Sequence, residues 1–186
     1  MELLKKIMLS RDLIIYPKEI SDIEVLVPEE RKKVIKEELE EMREQYCALN
    51  GLFFDKSYPK GALIEKYTAF INLNPKYYAA YRDRAILYTH IGKYREAVAD
   101  NQLLITHNER VWSDAIINKA EALFFLKDYD EALKIANHYF AICEKPTAEC
   151  YRIRAEIFRK LKMSDEYKAD MRESKRLRKE EKNRIW

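Results

Sequence analysis

The side chains able to do acid–base, nucleophilic or metal chemistry are few and poorly placed for it. The three histidines, His90, His107 and His138, are scattered. No HExxH pair joins them, and no cysteine stands at the spacing a zinc ligand set needs. Cys47, Cys143 and Cys150 are an odd number with no disulfide framework, which fits a reducing, intracellular setting. Cys143 and Cys150 lie seven residues apart across a helix boundary and read as buried thiols rather than metal ligands. Three glycines cannot build a phosphate-cradling loop, and "YPKGALIEK" does not match one. The 32 carboxylates are interleaved with 35 Lys and Arg, as on solvated helix faces. No catalytic residue, cofactor site or metal site is expected, and no enzyme activity.

Composition narrows the elements that could position a site. Of 186 residues, 47% are apolar and 36% charged, with 3 Gly and 5 Pro. Few breakers and many charges favour helices with one wet face. A net charge of +3 is too small to imply nucleic acid or an anionic membrane by itself. The opening "MELLKKIMLSRDLIIYPKE" lacks the long apolar stretch of a signal peptide. No apolar run approaches the roughly 18 residues of a membrane span. A soluble, cytoplasmic protein is expected.

A repeat organises the chain. Small residues Gly51, Ala85, Ala120 and Ala155 follow one another at steps of 34, 35 and 35. Three residues after each stands a large apolar one: Phe54, Tyr88, Leu123, Phe158. Four residues before stand Cys47, Tyr81, Ile116 and Tyr151, and twelve after stand Leu63, Ala97, Ala132 and Tyr167. Each copy reads as two helices joined at an elbow such as "IGKY" or "LKDY". Between copies, "NLNPKYY" places Asn74 as an N-cap with Pro75 at the first helical position. Pro146 resets the chain similarly.

This pattern resembles the tetratricopeptide repeat, a 34-residue helix–turn–helix unit with small residues where its helices touch. The likeness covers about 44–181 and is sharpest in "AYRDRAILYTHIGKYREAVAD" and "AIINKAEALFFLKDYDEALKIA". The first copy keeps Asn50, Gly51, Tyr67, Phe70, Asn74 and Pro75. Departures are Asn101 in an aromatic column, and Tyr167 and Ser174 in columns usually small and apolar. The resemblance implies an all-α, right-handed superhelical solenoid of about four repeats (44–77, 78–111, 112–147, 148–181). A 1–30 extension would precede a 31–186 repeat domain ending in a capping helix. Ala85 and Ala97 would mark a helix crossing, with Tyr88 and Tyr94 filling the space beside it.

The ends add further expectations. Ile35, Leu39, Met42, Tyr46, Leu49 and Phe53 step by four and three along 31–55, the spacing of a helix seam. It suits either a homodimer contact or, preferably, a cap on the first repeat, starting at Pro28. Residues 1–27 are too apolar for a free tail and should pack on the first repeat or in the groove. From Arg172 to Arg184, seven Lys/Arg face three Glu. That run is a solvated cap or, less favoured, a phosphate-binding patch.

In the family, first helices line a concave groove. By register its positions here are Gln45, Ala48, Leu52 and Asp55, then Ala79, Arg82, Ile86 and Thr89. The later copies supply Asp114, Ile117, Glu121 and Phe124, then Glu149, Arg152, Glu156 and Arg159. Arg82, Ile86, Glu121, Phe124 and Arg152 are the expected partner-binding residues, with Phe124 the anchor and Phe125 nearer the contact between repeats. Members that clamp a chaperone's C-terminal carboxylate use Lys, Asn and Arg at set positions. Ala48, Leu52, Asp83, Asp114 and Asn118 replace them here, so that clamp is not formed. The expected function is a non-enzymatic adaptor or scaffold binding a protein or peptide. The alternatives are a small secretion-type or assembly chaperone, and an RNA- or anionic-membrane-associated protein acting through the basic C-terminus.

Overall fold

The computed structural model describes the backbone of residues 29–184 except residue 110, and side chains over 37–183 with the same exception. Among the described residues there are eight helices and no strand. They are α1 (Glu29–Phe54), α2 (Lys60–Leu73), α3 (Tyr78–His90), α4 (Tyr94–Asn108), α5 (Ser113–Phe125), α6 (Tyr129–Ile142), α7 (Ala148–Lys160) and α8 (Ser164–Arg184). The expected packing of residues 1–27 falls outside the described residues. The chain divides into two compact units, Met1–Leu87 and Tyr88–Trp186.

In the second unit three elbows are built alike. Gly92, Lys127 and Lys162, spaced by 35, each adopt a left-handed backbone with φ of 79°, 66° and 62°. The amide after each reaches back to close the preceding helix: Lys93 to Tyr88 O at 2.9 Å, Asp128 to Leu123 O at 3.1 Å, Met163 to Phe158 O at 3.0 Å. The amides of Gly92, Lys127 and Lys162 bond Thr89, Phe124 and Arg159 oxygens. This is a Schellman closure, which satisfies the orphan carbonyls of a helix end and reverses the chain within three residues.

The core of this unit follows the alanine columns. Ala97, Ala120, Ala132, Ala136 and Ala155 are fully buried. Ala120, Ala132 and Ala136 pack with Ile116, Ile117, Leu123, Tyr139, Ile153 and Ile157 in one cluster. With a methyl group at each contact, α5 and α6 can approach closely, and the aliphatic side chains close around them. Polar residues in the last pair are matched rather than exposed. Ser174 Oγ donates to Ala148 O at 2.7 Å. Buried Asp170 accepts two hydrogen bonds from Arg154, at 2.7 and 2.9 Å. The Arg154 guanidinium lies 3.6 Å from the Phe140 ring centroid, a cation–π contact. Asn101, buried in its aromatic column, donates to Ala97 O at 2.9 Å.

The first unit departs from the expected register. Cys47, Gly51 and Phe54, assigned above to packed columns, are exposed. A Cβ added to Gly51 would meet nothing within 4 Å. The packed face of α1 is instead the seam, with Leu39, Tyr46 and Leu49 buried and Met42 and Phe53 half-buried. Thus Tyr46, Asn50 and Phe53 are the true counterparts of Tyr81, Ala85 and Tyr88, 35 residues on. The cause is the first elbow, which runs from residue 55 to 59 and is two residues longer than the others. Asp55 organises it by accepting from the Ser57 amide and hydroxyl at 2.8 and 2.6 Å. Pro59 then stands at the N-cap position of α2.

Asn74 is also corrected. It ends α2 rather than starting α3: its amide bonds Phe70 O at 2.8 Å and its Nδ2 bonds the same oxygen at 3.1 Å. Residues 74–77 form a turn, and α3 begins at Tyr78. An Asn side chain can satisfy a helix's last carbonyls as readily as its first amides. Within this unit α1 packs on α2, and Tyr46, Phe70 and Tyr77 form an aromatic cluster with ring centroids 4.6–6.1 Å apart. Asp83 is only 3% exposed and accepts from Tyr46 Oη at 2.6 Å and Tyr67 Oη at 3.3 Å. Arg82 neutralises it through Nε and Nη2 at 3.0 and 2.9 Å.

Candidate interaction surface

Helices α5 and α7 lie side by side as the first helices of successive pairs. Glu121 on α5 and Arg152 on α7 meet across them, with Arg152 Nη2 3.1 Å from Glu121 Oε1. Their side chains are 25% and 35% exposed, so the pair borders solvent without being immersed in it. Arg152 Nε also donates to Glu149 Oε1 at 2.8 Å, one turn earlier on α7. Arg178 of α8 reaches the other Glu149 oxygen at 3.2 Å. Two carboxylates and two guanidinium groups therefore form a balanced chain across three helices.

The environments of the two acids differ. Burial pushes the Glu121 carboxyl above the usual range, against the pull of Arg152. The hydrogen bond from Arg152 holds Glu149 below it. Glu121 is the acid whose charge is less easily kept, because desolvation disfavours the ionised form.

Phe124 follows Glu121 by three residues on the same helix face. It is half-buried, packs against the unit's core cluster, and lies 5.7 Å from the Tyr129 ring. Phe125 is more exposed, at 43%, and stacks on Tyr94 with centroids 4.8 Å apart and planes within 11°. Tyr94 therefore reaches across to α5 rather than only filling the space beside its own crossing. Ile91, Phe125 and Leu126 are exposed apolar residues at the elbows of two successive pairs.

The five residues expected to bind a partner divide between the units. Arg82 and Ile86 belong to the first, where Arg82 is engaged by Asp83 and Ile86 is half-buried. Glu121, Phe124 and Arg152 belong to the second, which brings the two charges into contact. Ile117, assigned to the groove by register, is instead a core residue at 4% exposure. Arg178 lies outside the expected groove positions, since it comes from the capping helix and nothing in its repeat column points toward Glu149.

Two residues of the basic C-terminal run have acidic partners. Arg176 pairs with Glu173 and Glu180, and Arg178 with Glu149. The seam of α1 is likewise covered inside its own unit at Leu39, Tyr46 and Leu49. Among the described residues, no group of three His, Cys, Asp or Glu is placed to hold a metal ion. No helix among them is long and apolar enough to cross a membrane.

No family model matches the chain. Over 85 residues it is 31% identical to Hsp70-Hsp90 organizing protein 3 of Arabidopsis thaliana, a match covering 46% of this chain and 15% of that protein. The structure is similar to a crystal structure of MamA, with a TM-score of 0.62 and 19% identity, covering 83% of this chain and 87% of the other. A second structure, MamA MSR-1 C2, gives a TM-score of 0.55 at 16% identity over 66% and 69% of the two chains. Identities this low speak for the fold alone. With its 35-residue helix pairs and alanine crossings, that fold is the tetratricopeptide-type helical repeat.

Proposed function

We propose that this protein is a non-enzymatic interaction module, an adaptor or scaffold that binds a protein or peptide segment on the α5–α7 face. The observation that carries the reading is the half-exposed Glu121–Arg152 pair beside Phe124. An aromatic side chain flanked by charges of both signs is the kind of patch in which binding energy concentrates. Glu121 and Arg152 already have each other as partners, so a ligand binds by exchanging ion pairs: its acid competes for Arg152, or its base for Glu121. The ligand that fits is a segment with an apolar anchor and mixed charge, in a helical or extended form.

The curated relative's name speaks of organising Hsp70 and Hsp90, but the carboxylate-tail mode does not carry over. Asp83 is buried under two tyrosines, and Asp114 lies in the first turn of α5 where a base is required. The three free cysteines fit a cytoplasmic setting. Arg176 and Arg178 are engaged by acids of this chain, which weighs against these two as contacts for nucleic acid or anionic lipid.

The test is capture with the full chain as bait in cells that express it, followed by affinity measurement with the retained protein. Phe124→Ala and Arg152→Ala should each weaken binding by more than about 1 kcal/mol, roughly fivefold or more. Lys134→Ala, on the exposed side of α6, should leave affinity unchanged. Since Phe124 also touches the core, its variant is compared per folded molecule after thermal melting. Unchanged affinity in both variants removes this face from the interaction.

A further inference from the structure

We propose that Cys143 and Cys150 are a modification site: a thiol pair that a hydroperoxide converts reversibly into a disulfide across the α6–α7 junction. Cys143 ends α6, with extended backbone angles (φ −89°, ψ 115°) and its amide on Tyr139 O. Cys150 sits in the first turn of α7, buried in the core cluster. Six residues, 144–149, separate them in the chain. Both thiols meet at one point, the Tyr139 hydroxyl, each sulfur 3.2 Å from that oxygen. The two sulfurs therefore stand no farther apart than twice 3.2 Å. Cys150 Sγ has a further polar neighbour in Thr147 Oγ1, also at 3.2 Å. A disulfide needs the sulfurs at about 2.05 Å, so both side chains must rotate off the shared hydroxyl for the bond to form.

The exposures divide the roles. Cys143 is half-buried and Cys150 buried, so the peroxide meets Cys143 first. Its sulfur attacks the peroxide, the O–O bond breaks and an S–O bond forms: Cys143–SH + ROOH gives Cys143–SOH + ROH. Cys150 then attacks the sulfenic sulfur; the S–O bond breaks, the S–S bond forms and the hydroxyl departs with the Cys150 proton as water. Peroxide is the oxidant and is reduced to alcohol and water overall. A dithiol reverses the product by exchange. The crosslink ties the end of one helix pair to the start of the next, whatever the surface binds.

The experiment uses the full chain with Cys47→Ser, which removes the exposed thiol of the first unit. After hydrogen peroxide treatment and alkylation, the expected product is monomeric and two hydrogens lighter. Both remaining thiols are lost to the alkylating reagent together, the peptides containing Cys143 and Cys150 are joined, and dithiothreitol restores both thiols. Adding Cys150→Ser should trap the sulfenic acid on Cys143 as a dimedone adduct. Cys143 driven to sulfinic or sulfonic acid while Cys150 stays alkylatable overturns the proposal. So does a disulfide found only between two chains, or no loss of thiols at peroxide levels that oxidise Cys47 in the unaltered chain.

Discussion

The two units fill a helix contact in opposite ways. Around α5 and α6 the contact is made by Ala120, Ala132 and Ala136 with aliphatic neighbours. Around α1, α2 and the start of α3 it is made by Tyr46, Tyr67, Phe70 and Tyr77, with a buried carboxylate accepting two of the phenols. Small residues let backbones approach and need no polar compensation. Large phenols hold space open but bring hydroxyl groups that must find an acceptor when water is excluded. One repeat period therefore supports an apolar contact that tolerates no added volume and a polar one that tolerates no lost acceptor.

The polar contact should yield the largest effect. Asp83→Leu removes the acceptor of Tyr46 and Tyr67 and leaves Arg82 without its buried partner, so it should cost about 3 kcal/mol. Urea unfolding measures it. In a Tyr46→Phe, Tyr67→Phe background the same substitution should cost clearly less, because no phenol is left stranded. Equal costs in the two backgrounds would show that Asp83 does not act through the phenols.

Alkali should find the same weakness. Burial raises Tyr46 and Tyr67 well above the ordinary phenol value of 10.0 and pushes Tyr77 up to about 12. The native state holds those protons when the unfolded chain has begun to release them. Stability is therefore full below pH 10 and falls as the pH rises from there through the native values. Tyr139 and Tyr151 are raised as well, so replacing Tyr46 and Tyr67 by Phe should reduce the alkaline loss without abolishing it. Phenolate absorbance and helicity followed against pH check this.

The apolar contact predicts an asymmetry of volume. Ala120→Leu should destabilise by about 1–3 kcal/mol through overpacking. Gly51, which the sequence pattern places in the same column, faces open space. Gly51→Ala should instead stabilise by roughly 0.5–1 kcal/mol, as a glycine inside an exposed helix is replaced. A destabilised Gly51→Ala would restore the column as first drawn and undo the shifted register of α1.

That register marks the limit of what the sequence made legible. The alanine columns of the later pairs, the elbows and the packed Leu123 and Phe158 all stand where the spacing placed them. The first pair departs because "NG" at 50–51 imitates the family's small residue while a longer elbow moves α1 by one position. Asn74 was ambiguous for a local reason, since an Asn can close one helix or open the next, and only the preceding carbonyl decides. At the candidate surface, register brought out Glu121 and Arg152 as members of a face. It could not show that they engage one another across 31 residues, nor that Arg178 joins from α8, because such pairs are made by packing and leave no period.

The smallest effect comes from the elbows, where three copies share a backbone but not a residue. Gly92 takes its left-handed conformation without a Cβ, whereas Lys127 and Lys162 adopt it against the steric preference of an L side chain. The amide and carbonyl bonds are the same in all three, so the difference isolates the Cβ. Lys127→Gly and Lys162→Gly should each stabilise the protein by up to about 1 kcal/mol. The gain is reduced because glycine also enlarges the freedom of the unfolded chain. Gly92→Ala should move the other way by a similar amount, although its new methyl group would find only the Tyr94 hydroxyl, at 4.0 Å. The readout is the urea midpoint of each single variant and of the Lys127→Gly, Lys162→Gly double, whose sites are a full repeat apart and should add. A loss of stability in either lysine variant would mean that the lysine stem contributes more by covering its elbow than the left-handed strain removes. Conformation would then not be what distinguishes these elbows from that of Gly92.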